Sequence, residues 1–178
     1  KALRESLPSH IKIYVKEHPS QFIYDYARYG EYYRDQAYYA SILSIDNVYL
    51  IDMRRSIFDL IDHALFVASV TGTICWEAVN RQKSALCFGH SWMAGCEGVH
   101  EVLSQDNLTK AIDSILNGNE SINLNHVKLF AKTIFDLGFS SAVGGAIQLE
   151  HKKITPLANA LILEKAIQWL NSNPISDK

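Results

Sequence analysis

Five short apolar runs, separated by segments of helical character, constrain the fold of this chain more than any other feature. The runs lie at residues 11–15, 48–51, 65–70, 85–88 and 99–102. Helices are predicted between them at 32–43, 57–63 and 74–81. Strands that alternate with helices form parallel sheets, because a parallel connection needs a crossover long enough to hold a helix. The sequence therefore predicts an α/β fold with a Rossmann-like parallel sheet flanked by helices.

After the fifth run only helical periodicity remains. Helices are predicted at 107–116, 126–137 and 156–170, the last with Thr155 as N-cap and Pro156 at its first position. The run at 65–70 has almost no polar residue, which is typical of a strand covered on both faces. We expect one domain over residues 1–178, with the alternating strands and helices in 8–105 and a helical tail in 106–178.

The composition excludes several classes of function. A formal net charge of -2 provides no basic field for charge-driven binding of nucleic acid. No apolar run reaches the roughly 18 residues of a transmembrane helix. Cys75, Cys87 and Cys96 form an odd set without metal-ligand spacing, so we expect free thiols in a reducing, cytoplasmic compartment. Because the chain starts at Lys1 without a signal-peptide pattern, we expect its native N-terminal region to lie outside this sequence.

Polar residues follow two of the predicted strands, at the point where an open α/β sheet places its ligands. Residues 16–19 (Lys-Glu-His-Pro) follow the first run, and Thr71, Gly72 and Thr73 follow the third and begin a helix. Amides at a helix N-terminus attract anions, Gly72 permits close approach of a phosphate, and both threonine hydroxyls can donate hydrogen bonds. The alternative is that one threonine caps the helix and the glycine makes a tight turn. The dinucleotide and P-loop glycine motifs do not occur in the sequence.

His18 is the candidate for a phosphate contact or for a general acid toward a leaving group. Pro19 fixes the turn and biases His18 toward an extended backbone. An imidazole at the sheet edge can donate to a phosphate or transfer a proton, and Lys16 would add positive charge. The alternatives are a structural histidine and a solvated lysine at a strand end. Arg54 and Arg55, after the second run, are weaker candidates of the same kind.

A second group of candidates would contact the ribose, the base or the sugar of a ligand. Glu77 lies about one turn into the helix that follows Gly72, where a carboxylate can accept both hydroxyls of a ribose. His90 and Trp92 follow the fourth run, and Trp92 offers a stacking surface. The alternatives are a solvated helix position for Glu77 and loop packing for the other two. The acidic residues show no metal-ligand pattern, so we expect neither a metal nor another cofactor.

In this order and spacing, the motifs resemble those of one family. The residues that carry the resemblance are 15–21 (Val-Lys-Glu-His-Pro-Ser-Gln), 47–48 (Asn-Val), 71–73 with 76–78 (Trp-Glu-Ala), 88–89 (Phe-Gly) and Trp92. They are similar to the capsular and surface polysaccharide biosynthesis family, which includes glycosyltransferases related to the bacterial Kdo transferases. The similarity covers about residues 11–102. It departs from the family at Cys75, where many relatives have glycine, and at 82–84, where Gln-Lys-Ser replaces Gly-Lys-Pro.

The resemblance implies a GT-B glycosyltransferase, in which two Rossmann-like domains face each other across a cleft. This chain is similar to the C-terminal half, which binds the nucleotide-sugar donor, and the implied donors are CMP-linked sugars such as CMP-Kdo. The family roles place the donor phosphate at His18, Pro19, Thr71, Gly72 and Thr73, with His18 as the catalytic residue of this half. The catalytic base of the family would lie outside this chain.

The leading hypothesis is therefore the donor-binding domain of an inverting, metal-independent glycosyltransferase, inactive without its acceptor domain. Its partners would be a nucleotide sugar and, through the N-terminal domain, a polysaccharide or lipid-linked glycan acceptor. Nucleic acid is not expected, and the inner face of the bacterial membrane would be at most a peripheral contact. Two alternatives belong to other classes. One is a sugar-nucleotide epimerase or hydrolase with Glu17 and Glu77 as acid and base, and the other is a non-catalytic nucleotide-binding module.

Overall fold

The computed structural model describes residues 1–18, 34–118 and 121–137. The chain divides into two units, Lys1–Val127 and Lys128–Lys178. The helices are α1 (Ala2–Ser6), α2 (Gln36–Leu43), α3 (Ile57–His63), α4 (Ile74–Val79), α5 (Gln105–Leu116) and α6 (Leu124–Leu137). The strands are β1 (Ile13–Lys16), β2 (Val48–Ile51), β3 (Phe66–Ser69), β4 (Ser84–Cys87) and β5 (Val99–Glu101).

All five strands occur where the apolar runs predict them, and every described pair is parallel. In the pairing of β1 with β2, Ile13 is opposite Val48. Strand β4 pairs with β3 on one side and with β5 on the other, so that Cys87 has Ser69 and Glu101 as its partners. Helices α2, α3 and α4 lie between successive strands of the sequence. The prediction of an α/β fold with parallel strands flanked by helices is confirmed.

The continuous sheet that the alternation predicts is divided into two. In the described residues, β1 and β2 form one hydrogen-bonded sheet, and β3, β4 and β5 form another in the order β3-β4-β5. Because the strands are only three or four residues long, each pair has few backbone groups with which to form a ladder. The two sheets nevertheless share a core, since Ile13 of β1 and Phe66 of β3 pack against the same buried cluster.

The strand covered on both faces is β4, and the prediction of this role for residues 65–70 is wrong. All four residues of β4 are buried, whereas only Val67 is buried in β3. Leu65 and Val70, at the two ends of that run, are 61% and 66% exposed. Strand β4 is the central strand of its sheet and β3 is at the edge, so position in the sheet decided the burial and hydrophobicity alone did not.

The core beneath β4 is built by the N-terminal segment and α5. Its buried members are Leu7, Leu86, Val102, Leu108, Ala111 and Ile112. Helix α5 begins at Gln105, two residues before the predicted start, because Ser104 caps it by accepting the amide of Asn107 at 3.1 Å. The side-chain oxygen of Asn107 accepts the amide of Leu103 in return, at 3.4 Å.

The other predicted boundaries are close to those observed. Helix α3 and its N-cap Ser56, which accepts the amide of Asp59, are as predicted. The helix predicted at 32–43 begins only at Gln36, because Asp35 caps it by accepting the amide of Tyr38. Pro19, residues 32–33 and the predicted helix at 156–170 lie outside the described residues. Within the part of the chain that the structure describes, no helix has the length and apolar character needed to cross a membrane.

Candidate functional site

The loops that follow β3 and β4 meet at the carboxyl edge of the three-stranded sheet. A Cβ atom added to Gly89 would lie 3.1 Å from Cγ2 of Thr71 and 3.4 Å from the carbonyl oxygen of Val70. Below them, the Cys87 thiol donates to the same carbonyl of Val70 at 3.1 Å. The prediction that Thr71, Gly72 and His90 come to one edge of a parallel sheet therefore agrees with the geometry. We call residues 70–73 and 88–92 together the strand-end site.

The turn at Gly72 is closed by a serine that the sequence reading did not single out. The hydroxyl of Ser69 accepts the amide of Gly72 at 3.2 Å, and a Cβ atom on Gly72 would lie only 2.7 Å from that oxygen. Thr73 occupies the N-cap position of α4 but makes no side-chain capping bond. Thr71 and Thr73 are both exposed. The hydroxyl of Thr73 therefore does not cap the helix, whereas the tight turn at Gly72 is present, and both threonines are exposed at the site.

Two tryptophans meet beside this turn. The rings of Trp76 in α4 and Trp92 in the loop after β4 have centroids 5.3 Å apart, tilted by 53°. Trp92 is 49% exposed, whereas the next residue, Met93, is completely buried and anchors the loop. Ser91 accepts the amide of Met93 at 3.2 Å and so supports the loop. The pair leaves a large aromatic surface open at the strand-end site, as the stacking role of Trp92 requires.

Acidic residues border the strand-end site on two sides. Glu77 is half-buried in the first turn of α4, as predicted. Glu101, the last residue of β5, places its Oε1 atom 3.5 Å from Nδ1 of His90. The sequence reading missed Glu101, although the rule that polar residues at strand ends face the ligand edge applies to β5 as it does to β3 and β4.

The second group of predicted residues follows β1, in the other sheet. Lys16 is the last residue of β1 and is half-buried, and His18 is exposed two residues later. The carboxylate of Glu17 pairs with Arg34 at 3.1 Å, and their side chains are 16% and 29% exposed. The guanidinium of Arg34 also lies over the ring of Tyr38. The sequence reading missed this cation, which is brought to the end of β1 across a long connection.

The weaker candidates after β2 have a local role. Arg54 forms an ion pair with Asp52 at 2.5 Å, and its side chain is 86% exposed. The hydrogen bonds from Arg54 hold the pKa of Asp52 well below its usual range. An exposed pair of this kind contributes little to stability, and a guanidinium already paired with a carboxylate is a poor second partner for a phosphate.

The three cysteines are free and buried, as expected. Burial, with a contribution from the neighbouring Cys87, raises the pKa of the Cys75 thiol to about 12. A thiol with so high a pKa is protonated at neutral pH and is a poor nucleophile. Cys75 is therefore not a candidate for the chemistry of the strand-end site.

Neither the histidine, cysteine and acidic side chains of the described residues nor a groove beside α1 and α2 provides a further candidate site. In the described ranges, no group of three or more histidine, cysteine or acidic side chains is placed to hold a metal ion. A groove beside α1 and α2 is lined by Lys1, Arg4, Glu5, Ser41, Ser44 and Ile45, none of which follows a strand. The guanidinium of Arg4 there donates to the backbone carbonyls of Leu7, Pro8 and Ile11. Its role is to hold the turn between α1 and β1.

Comparison of the chain with known protein families, with curated proteins and with solved structures finds no match.

Proposed function

We propose that this chain is the donor-binding domain of a GT-B glycosyltransferase of capsular or surface polysaccharide synthesis, with a CMP-linked sugar as its donor. The observation that carries the proposal is the strand-end site. There a close-packed glycine turn, two exposed threonines and a half-exposed tryptophan meet at the carboxyl edge of a parallel sheet. This is the edge at which open α/β sheets bind nucleotides. The motif resemblance supports the same ligand.

The chemistry assigned to this half is stabilisation of the leaving nucleotide. As an acceptor hydroxyl attacks the anomeric carbon, the bond from that carbon to the phosphate oxygen breaks and the phosphate gains charge. Hydrogen-bond donors fixed beside the phosphate lower the barrier because their strength rises with that charge. Thr71, Thr73 and the amides of the Gly72 turn supply donors in the proposal, Lys16 supplies a positive charge, and His18 supplies a further hydrogen-bond donor. The proposal assigns the base that activates the acceptor to the acceptor domain of a GT-B enzyme.

The epimerase or hydrolase alternative receives less support from the described geometry. It assigns proton transfer to Glu17 and Glu77. The Glu17 carboxylate is already engaged in an ion pair with Arg34 at 3.1 Å, which leaves it less available to contact a substrate. Glu77 by itself does not provide both an acid and a base.

Calorimetric titration of the chain with CMP, UDP and GDP tests the proposal. We expect CMP to bind, and Thr71→Val and His18→Ala each to weaken it about tenfold, the cost of one hydrogen bond to a charged group. Thr109→Val and His10→Ala are matched controls at exposed positions away from the strand ends, and we expect wild-type affinity for both. If no nucleotide binds, a non-catalytic module that uses the fold for other binding or for assembly replaces the proposal. A preference for UDP would contradict the CMP assignment.

A further inference from the structure

His90 and Glu101 face each other across the carboxyl ends of β4 and β5. In the register of these strands Cys87 is opposite Glu101, so the residues that follow Cys87 pass beside the Glu101 carboxylate. Nδ1 of His90 lies 3.5 Å from Oε1 of Glu101. The His90 side chain is 83% exposed, and that of Glu101 is 32% exposed. An exposed imidazole therefore has one of its nitrogens turned toward a carboxylate that is mostly covered.

The contact between His90 and Glu101 matters because it involves Oε1, a buried oxygen of the carboxylate. Oε1 is buried and makes no hydrogen bond within the described residues. A buried carboxylate oxygen without a donor is costly, so a neighbouring group that carries a proton toward it is stabilised. At 3.5 Å the contact is long for a hydrogen bond and acts mainly through charge. It favours the form of His90 that has its proton on Nδ1.

We propose that Glu101 is a positioning residue that holds the proton of His90 on Nδ1, so that Nε2 accepts a hydrogen bond from a hydroxyl group of the ligand. A neutral imidazole has one donor and one acceptor nitrogen, and a carboxylate beside one nitrogen makes the other the acceptor. His90 follows Gly89, which packs on Thr71, so this acceptor lies next to the turn assigned to the donor phosphate. The inference rests on the proposed nucleotide-sugar function and adds a hydroxyl-reading residue to it.

Within the described residues, Glu101 is the charged side chain that pairs with His90. On β5, His100 precedes Glu101 and points to the opposite face of the strand. On β4, the Cys87 thiol donates to the carbonyl of Val70. Residues 70–73, on the side of β3, carry no charged side chain. Among these neighbours, only the Glu101 carboxylate is placed to determine which ring nitrogen of His90 carries the proton.

The first experiment measures the tautomer of His90 without any ligand. Nitrogen-15 NMR at pH 8 reports which ring nitrogen of each neutral histidine carries the proton. We expect Nδ1 for His90 in the wild-type chain and a shift of the population toward protonated Nε2 in Glu101→Gln, which keeps the shape of the side chain and removes its charge. Glu5→Gln, at an exposed position of α1, is the matched control. An unchanged tautomer in Glu101→Gln overturns the proposal, whether or not the chain binds nucleotides.

The second experiment identifies the hydroxyl by comparing CMP, 2′,3′-dideoxy-CMP, which lacks both ribose hydroxyls, and a CMP-linked sugar. If the hydroxyl belongs to the ribose, the wild type prefers CMP over its dideoxy analogue by about fivefold, and Glu101→Gln loses this preference. If it belongs to the sugar, Glu101→Gln loses about the same factor for the CMP-linked sugar alone. If Glu101→Gln loses the same affinity for all three ligands, or loses none, the inference is overturned and the proposed function is unaffected. Failure of the wild type to bind any of them contradicts both.

Discussion

Gly72, in the turn proposed to bind the donor phosphate, offers the sharpest separation of a structural role from a ligand-binding role. The φ angle of Gly72 lies outside the left-handed region, so an alanine is compatible with its backbone. The obstacle to a side chain is Ser69, whose Oγ atom would lie 2.7 Å from the new Cβ. The next atoms, Cγ2 of Ile74 and Cβ of Ser69, would be at 3.6 and 3.7 Å, which is ordinary contact. Removal of one oxygen atom should therefore make room for the methyl group.

The expected free energies follow from these contacts. Ser69→Ala removes the hydrogen bond to the Gly72 amide and should cost about 1 kcal/mol. Gly72→Ala forces Ser69 to rotate or the turn to shift, at about 1–3 kcal/mol. In the double variant the clash is absent and the hydrogen bond is lost only once, so its cost should return to about 1 kcal/mol. Urea unfolding of the chain and its three variants measures these differences.

Nucleotide affinity, measured on the same three variants, gives the functional result. If the phosphate approaches the backbone of Gly72, the methyl group of the double variant still blocks it, and CMP binding should remain at least tenfold weaker although stability has recovered. Ser69→Ala is the control, since it removes the same oxygen and leaves the glycine. Recovery of affinity together with stability in the double variant would refute the reasoning. Gly72 would then be needed only for packing against Ser69.

Two further predictions concern stability near β5. Gly98 and Gly95 have nearly the same φ angle, +82° and +81°. Their surroundings differ, because a Cβ atom on Gly98 would lie 2.6 Å from Cδ1 of Ile122, whereas a Cβ atom on Gly95 would have no neighbour within 4 Å. In urea unfolding, Gly95→Ala should cost about 1 kcal/mol for backbone strain and Gly98→Ala about 2–4 kcal/mol, and equal costs would contradict the packing argument. The hydrogen bond from the Asn123 amide is the main cause that lowers the pKa of Glu97 in the folded chain. The ionised carboxylate therefore stabilises the fold above pH 4.5. This contribution is lost as the pH falls through the folded pKa. Wild type should therefore exceed Glu97→Gln in melting temperature at pH 7, with the gap closing below pH 4.5; a constant gap would contradict this linkage.

The elements of the fold could be predicted from the sequence because their signals are local. Strand β2 and helix α3 have the predicted bounds, since an asparagine precedes the apolar run of one and Ser56 caps the other. Asn47 has a φ of 57°, a left-handed conformation that asparagine tolerates better than most residues. Errors arise where two local signals compete. At the start of α5, Ser104 and Asn107 are both good caps, and the structure uses Ser104.

The arrangement of the elements could be predicted only in part, because it depends on contacts between distant residues. The split of the sheet and the burial of β4 instead of β3 result from which strands become neighbours, and the ion pair of Glu17 with Arg34 joins residues 17 positions apart. No local pattern contains that information. Glu101 is different, since it is the last residue of its strand, as Ser69 and Cys87 are of theirs. It could have been included by applying the strand-end rule to the fifth run as well as to the first four.

The division of the sheet also bears on the choice of donor. A CMP-linked sugar has one phosphate, so Thr71 and His18 must both reach the same group if both bind it. Two hydrogen bonds of about 2.9 Å to one phosphate leave little freedom in the distance between their donors. UDP- and GDP-linked sugars have two phosphates and accept donors that lie farther apart.

Thr71 follows a strand of the three-stranded sheet, and His18 follows a strand of the other sheet. No backbone ladder joins these two strands in the described residues, so the distance between Thr71 and His18 depends on the packing of Ile13 and Phe66 on their shared cluster. The comparison of CMP with UDP therefore tests the packing between the two sheets as well as the identity of the nucleotide.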